Sequence, residues 1–213
     1  MFTLNIVYLC KTWYNNNVGG RRMKIIGVTG SSGAGKDTLC EILENKYEAE
    51  IVDADKIAKE LSKKGTMYFN SIVESFGSGI VDRQGKLNRK KLASIIYEDD
   101  KKREELNKLT FIYVVDEIKK RINKIKKKII VVNAPLLFES NLDQVCDFVI
   151  AVIAEKNIQI ERIMKRDNIK ESEAEKRLNM QNTNDYYIEN SDYVIHNKGD
   201  IKDIEKQIED IKI

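Results

Sequence analysis

Lys24–Thr38 reads KIIGVTGSSGAGKDT, an apolar run that breaks into a glycine-rich turn and ends in a lysine. Gly30, Gly35 and Lys36 satisfy the spacing GxxxxGK. Each fixed position has a physical reason. Glycines let successive backbone N–H groups converge on phosphate oxygens, and the lysine reaches the terminal phosphates. The helix expected from Thr38 onward aims its positive end at the same anion. Ile25, Ile26, Gly27 and Val28 suit a buried parallel strand before the loop, and Leu39, Ile42 and Leu43 supply an apolar helix face after it. The stretch therefore reads as a phosphate grip on a strand–loop–helix unit. One position departs from the motif. Asp37 stands where a hydroxyl ordinarily ligates magnesium, followed by Thr38. A carboxylate there either binds the metal or caps the helix, so nucleotide binding is expected to depend steeply on magnesium.

A chain of 213 residues fits one domain with a well-covered core, with room for a small inserted lobe. Lysine plus arginine (37) nearly balance aspartate plus glutamate (34), and the net charge of +3 is not the footprint of a nucleic-acid binder. The run Lys119, Lys120, Arg121, Lys124, Lys126, Lys127, Lys128 reads as the solvated C-terminal end of a helix. Cys10, Cys40 and Cys146 are odd in number and lack metal-ligand spacing, which excludes a disulfide framework and points to a reducing cytoplasm. The single histidine, His196, has no triad-like surroundings and reads as structural. The first 22 residues match neither a signal peptide nor a membrane span. Met23 opens directly onto the first strand, so translation is expected to start there; the alternative is a loosely held native tail.

Beyond the loop, Ile51 and Val52 lead into Asp53, Ala54, Asp55, placing two carboxylates at the end of a short strand. In open α/β sheets ligands lie at the carboxyl ends of the strands. Ile57, Ala58 and Leu61 continue as a helix ending near Lys64 and Gly65. Asn88 caps another, and a long helix runs from about Asp100 to Lys127. Ile129–Val132 and Phe148–Ile153 read as strands buried on two faces, with a shorter last strand at Tyr193–Ile195. Helices are expected at Ile158–Arg166, at Ser172–Met180 and from Ile201 onward. The alternation predicts an α/β fold, a parallel sheet of about five strands between helical layers, with a helical lobe over about 60–127.

In these motifs the chain resembles the dephospho-coenzyme A kinases, P-loop proteins of the nucleoside-monophosphate-kinase-like group. The matching pieces are GSSGAGKDT, VDAD at Val52–Asp55, LNR at Leu87–Arg89, PLLFE at Pro135–Glu139, RIMKRD at Arg162–Asp167, RLNMQ at Arg177–Gln181 and SDYVIHNKG at Ser191–Gly199. The resemblance implies transfer of the γ-phosphoryl of ATP to the ribose 3′-hydroxyl of dephospho-coenzyme A, with magnesium, in the cytoplasm. It implies no nucleic-acid or membrane partner, and a monomer or weak homo-oligomer. Phosphoryl transfer needs positioning, charge neutralisation and a group that orients the attacking hydroxyl. The resemblance assigns ATP binding to Ser31, Ser32, Gly33, Ala34, Gly35, Lys36, Asp37, Thr38, Arg162 and Asn197. Lys36, Asp55 and Arg166 carry catalysis, Asp55 as base and Arg166 from a lid over about 160–185. Asp37, Thr38 and Asp53 are the candidates for the metal and its water. Acceptor binding falls to Asp53, Asp55, Arg89, Pro135, Leu136, Leu137 and Glu139.

The chain departs from the family pattern in places. Besides Asp37, Lys64–Gly65 replaces a Pro-Gly pair, Thr110–Phe111 replaces a His-Pro pair, and Ser31 replaces a loop glycine. Two other readings stay open: a kinase of another small acceptor such as a (deoxy)nucleoside monophosphate, and a non-catalytic nucleotide-binding protein.

Overall fold

Each continuous apolar run becomes a strand. In the computed structural model, which describes residues 23–213, β1 (Lys24–Thr29), β2 (Glu50–Asp53), β3 (Ile129–Asn133), β4 (Phe148–Ile153) and β5 (Tyr193–His196) form one sheet in the order β2-β3-β1-β4-β5. β1 pairs in parallel with β3 and β4, and β4 with β5. The expectation about residues 1–22 lies outside the described residues. The chain divides into two compact units, one running to Val52 and resuming over Ile125–Ile213, the other Asp53–Lys124.

In the sheet unit, side chains alternate between two covered faces, which is why these strands are apolar throughout. Ile26, Val28, Ile150 and Val152 point to one face, where they pack against Leu39 and Leu43 of α1 (Lys36–Tyr47) and Ile204 and Ile208 of the closing helix. Ala151 and Ile153 point to the other and meet Tyr187. The strand order makes the connections diverge: α1 leads from β1 toward β2, whereas the chain after β4 leads to β5. Divergence of this kind opens a crevice at the carboxyl ends of the central strands.

Two aspartates pin the sheet register. Asp147, just before β4, donates its N–H to Ile25 O (2.7 Å) and accepts from Ile25 N through Oδ2 (2.8 Å). Asp192, just before β5, repeats the pattern on Val149, donating to its carbonyl (3.1 Å) and accepting from its amide (2.7 Å).

The second unit is helical: α2 (Ala54–Leu61), α3 (Met67–Phe76), α4 (Arg89–Glu98) and α5 (Asp100–Ile122). Its core is Tyr68, Ile72, Ile80 and Leu92, flanked by Leu106, Leu109 and Tyr113. Each of these four helices starts on a side-chain cap: Asp53 accepts from Lys56 N (2.8 Å), Thr66 from Phe69 N (3.1 Å), Asn88 from Lys91 N (3.1 Å) and Asp99 from Lys101 N (2.9 Å). Thr110, in the altered pair, donates to Leu106 O (2.7 Å), so the Tyr68 hydroxyl at 2.7 Å donates to Thr110.

α5 stops at Ile122, short of the expected Lys127. Val114, Ile118 and Ile122 are its buried residues toward this end, and Asn123 closes the helix by donating to Lys119 O (3.1 Å). Lys119, Lys120 and Arg121 lie in the last turn, where cations suit the dipole, but Lys124, Lys126, Lys127 and Lys128 lie beyond the helix. The remaining helices are α6 (Lys156–Asp167), α7 (Glu171–Asn179), α8 (Asn184–Asn190) and α9 (Ile201–Glu209).

Replacing Asp147 or Asp192 with alanine leaves a strand amide without its acceptor. Each substitution is expected to lower stability by about 1–3 kcal/mol in urea unfolding, and the two to add; unchanged midpoints would contradict this account of the register.

Candidate active site

The loop from Gly30 to Gly35 is built by contacts from behind. Gly30 has φ +137° and lies so close to β4 that an added Cβ would stand 2.2 Å from the carbonyl oxygen of Val152. At Gly35, φ +105°, the same atom would stand 2.0 Å from Asn197 Nδ2. Neither position admits a side chain, so the glycines needed for backbone approach to an anion are also needed for packing. Gly35 precedes α1 without a side-chain cap, so the first amides of α1 stay available to a ligand.

Three elements grip this loop. Asn197, after β5, is buried; its Nδ2 donates to Ala34 O (2.7 Å), while Oδ1 accepts from Gly199 N (3.0 Å) and Arg162 Nη2 (3.2 Å). Arg162 of α6 also donates through Nη1 to Gly33 O (3.0 Å) and Ala34 O (3.3 Å). Gln159, one turn earlier and buried, donates to Ser31 Oγ. From beyond α7, Gln181 accepts from Ser32 N (2.7 Å). Lys36 folds over the loop, its ammonium donating to Gly30 O (2.8 Å) and Ser31 O (3.1 Å).

Arg166, one turn past Arg162, donates to Ser32 Oγ (3.2 Å) and through Nε to Asp167 (2.8 Å). Arg177 of α7 donates to the same carboxylate (2.9 Å) and to Glu173 (2.7 Å). The α6–α7 pair is held by Ile160, Ile163, Ala174 and Leu178. The hydrogen bond from Arg166 is the main reason the Asp167 carboxyl sits below the usual carboxylate range, with burial working against it.

Asp37 opens α1 with its side chain exposed, and its Oδ1 accepts from Nδ2 of Asn133 (3.3 Å), the buried last residue of β3. Thr38 follows on the same turn. Past β3, Pro135 and Leu136 are half-buried, and the Pro135 carbonyl accepts from Thr29 Oγ1 (3.4 Å). Leu137, expected in acceptor binding, is fully buried against the space beside Gly27 of β1, so it belongs to the core. Glu139 is exposed and accepts from Asn182 Nδ2 (2.6 Å).

The other candidates belong to the helical unit. Asp53 caps α2, and Asp55 is exposed on its first turn. Arg89 donates to Lys59 O (3.5 Å) and to Ser62 Oγ, at the far end of that helix. His196 is exposed at the end of β5, its backbone exchanging hydrogen bonds with the Gln207 side chain (2.9 and 3.0 Å). Asn133 and Gln159 went unread in the sequence. Their signal was a polar residue at a position the strand or helix pattern buries; Gln181 offered only its place in RLNMQ.

Comparison with known proteins follows the same lines. The family described as dephospho-CoA kinase (CoaE) matches residues 24–203. A dephospho-CoA kinase of Fusobacterium nucleatum is 38% identical over 185 residues, covering 87% of this chain and 95% of that protein. Among solved structures, the dephospho-CoA kinase from Campylobacter jejuni superposes with a TM-score of 0.59 at 26% identity, covering 86% of this chain and 92% of its own. The shikimate kinase from Acinetobacter baumannii, at TM-score 0.54 and 18% identity over 87% of this chain and 90% of its own, shares the fold. The chain belongs to the dephospho-CoA kinase family.

The depressed Asp167 pKa fixes a sign. The carboxylate's contribution is fully present above its unfolded value of about 3.9 and is lost as pH falls through the lower folded value. Stability is therefore expected to fall more steeply below about pH 4 in the native chain than in Asp167→Asn; equal slopes in acid titrations followed by circular dichroism would contradict the ion cluster.

Proposed function

We infer, from membership of that family and from the geometry of the loop, that this chain transfers the γ-phosphoryl of ATP to the ribose 3′-hydroxyl of dephospho-coenzyme A. The observation that carries the reading is the convergence of three cations, Lys36, Arg162 and Arg166, on one glycine loop at the uncapped start of α1. Such an arrangement stabilises the charge spread over a transferring phosphoryl group.

In this reading the amides from Gly33 to Thr38 cradle the phosphates, and Lys36 leaves the carbonyls of Gly30 and Ser31 for phosphate oxygens. Arg162 and Asn197 act mainly from beneath, keeping the loop in shape. Arg166, on an exposed turn, exchanges Ser32 for the transferring group when the α6–α7 lid closes and excludes water. Asp55 accepts the proton of the attacking hydroxyl. Pro135, Leu136 and Glu139, past the end of β3, and Arg89 of the helical unit are assigned to the acceptor.

The residues present fit magnesium. Among the described residues no cluster of three or more His, Cys, Asp or Glu side chains could hold a metal unaided. Magnesium suits that, because it is held by one or two carboxylates together with substrate phosphates and water. Asp37 and Thr38 are the oxygens offered on the first turn of α1. Asp53, whose Oδ1 already accepts from Lys56 N, is assigned to the metal's water. When bound, the ion neutralises charge on the β- and γ-phosphates. No described helix is long and apolar enough to cross a membrane.

The test is ADP release with MgATP, comparing dephospho-coenzyme A with nucleoside monophosphates and with no acceptor. Selective turnover with dephospho-coenzyme A is expected; activity on a nucleoside monophosphate alone would overturn the acceptor assignment. Asp55→Asn is expected to lower kcat by about 10²–10⁴-fold while leaving ATP affinity nearly unchanged, and undiminished turnover would remove Asp55 as the base.

A further inference from the structure

We propose that Asn133 is the positioning residue for Asp37, and that the two exchange the roles usually given to a loop hydroxyl and a strand carboxylate at the magnesium of a P-loop enzyme. The inference rests on the reading above that Asp37 stands on the metal side of the phosphate site. It adds the residue that keeps it there.

The backbone of Asn133 is held by the sheet. The residue ends β3 in register with Val28 of β1, and the next amide, Ala134 N, donates to Val28 O (3.0 Å), extending the ladder past it. The strand before it is Ile129, Ile130, Val131, Val132. An asparagine closing that run is 5% exposed. A buried amide costs stability unless its hydrogen bonds are made, and valine or alanine here would avoid that cost. Its Nδ2 instead donates to Asp37 Oδ1 across 3.3 Å, from the end of one central strand to the first turn of α1.

The chemistry of the pair explains both departures together. In P-loop nucleotide-triphosphatases magnesium is held by the Ser or Thr after the loop lysine and by an aspartate on a separate strand. Here the loop position is Asp37 and the strand-end position facing it is Asn133, so the pair still brings one carboxylate to the site. Two carboxylates at this separation would repel one another, whereas an amide and a carboxylate attract. Once the carboxylate sits on the loop, the strand needs a neutral donor. An amide meets that need, because it fixes the Asp37 rotamer without neutralising the charge offered to a cation.

The test is a double-mutant cycle on the full chain. ATP affinity is measured by titration calorimetry with magnesium and with EDTA, and the ratio of the two affinities is the readout. Any loss of folded protein lowers both affinities and cancels in that ratio. Asp37→Ser is expected to lower the ratio about tenfold, and Asn133→Ala to lower it by a similar factor in the native background. Because Asn133 acts through Asp37, Asn133→Ala is expected to change nothing further in the Asp37→Ser background. The exchanged pair, Asp37→Ser with Asn133→Asp, is expected to recover the native ratio to within about threefold. An Asn133→Ala effect that is absent, or equal in both backgrounds, overturns the positioning role while leaving Asp37 at the metal. An exchanged pair no better than Asp37→Ser overturns the exchange of roles. A native ratio in Asp37→Ala, which offers the metal no side-chain oxygen, removes Asp37 from the metal and the proposal with it.

Discussion

The turn between β1 and α1 must pass so close to β4 and to Asn197 that no side chain fits at Gly30 or Gly35. That steric constraint organises the sheet unit. A loop whose amides face outward toward an anion has carbonyls facing the other way, and those carbonyls need donors. Asn197 supplies one to Ala34, and Arg162 supplies others to Gly33 and Ala34. The donors come from the segment after β5 and from α6, so the strands that carry them must stand beside β1 or next but one to it. The sheet order β2-β3-β1-β4-β5 provides that. The phosphate loop is thus less a flexible flap than a rigid turn clamped from its inner side.

The same clamp links binding to catalysis. Arg162 and Arg166 are one turn apart on α6, yet they do different work. Arg162 is spent on loop carbonyls and on Asn197, which fixes the helix against the loop. Arg166 reaches the Ser32 hydroxyl and the neighbouring Asp167, and its side chain is 58% exposed. A helix anchored at one turn and exposed at the next can bring a cation to the phosphates without dismantling the loop. Gln181 and Arg166 hold opposite ends of Ser32, its amide and its hydroxyl, so the segment past α7 meets the loop at the same residue.

Much of this was legible in the chain. The glycine spacing and the apolar runs of β1, β3 and β4 announce themselves, because a strand buried on both faces has no polar positions to blur it. The cap at Asn88 marked a helix start for the same local reason. What was not legible depended on length or on distant packing. α3 is the exception: its Thr66 cap and the helical spacing of Tyr68, Phe69, Ile72 and Phe76 were present in the sequence and went unread. α8 spans seven residues, too few for a period to repeat twice. The overrun of α5 came from Ile125 continuing the helical spacing after Asn123 had already closed the last turn. Leu137 sat within a motif that suggested ligand contact, yet its neighbours in space, not in sequence, place it in the core. Gln159 and Asn133 stood out only as polar residues at positions the pattern buries, and what each one meets, the loop and Asp37, is set by packing.

The central claim is that the clamped loop serves phosphoryl transfer to one hydroxyl of one acceptor. It is tested most directly by incubating the protein with MgATP and dephospho-coenzyme A and locating the new phosphate by ³¹P NMR and mass spectrometry of the product. The account predicts one phosphomonoester on the ribose 3′-oxygen, formed one-for-one with ADP. Dephospho-coenzyme A recovered unchanged, or phosphate appearing at another position, would contradict it.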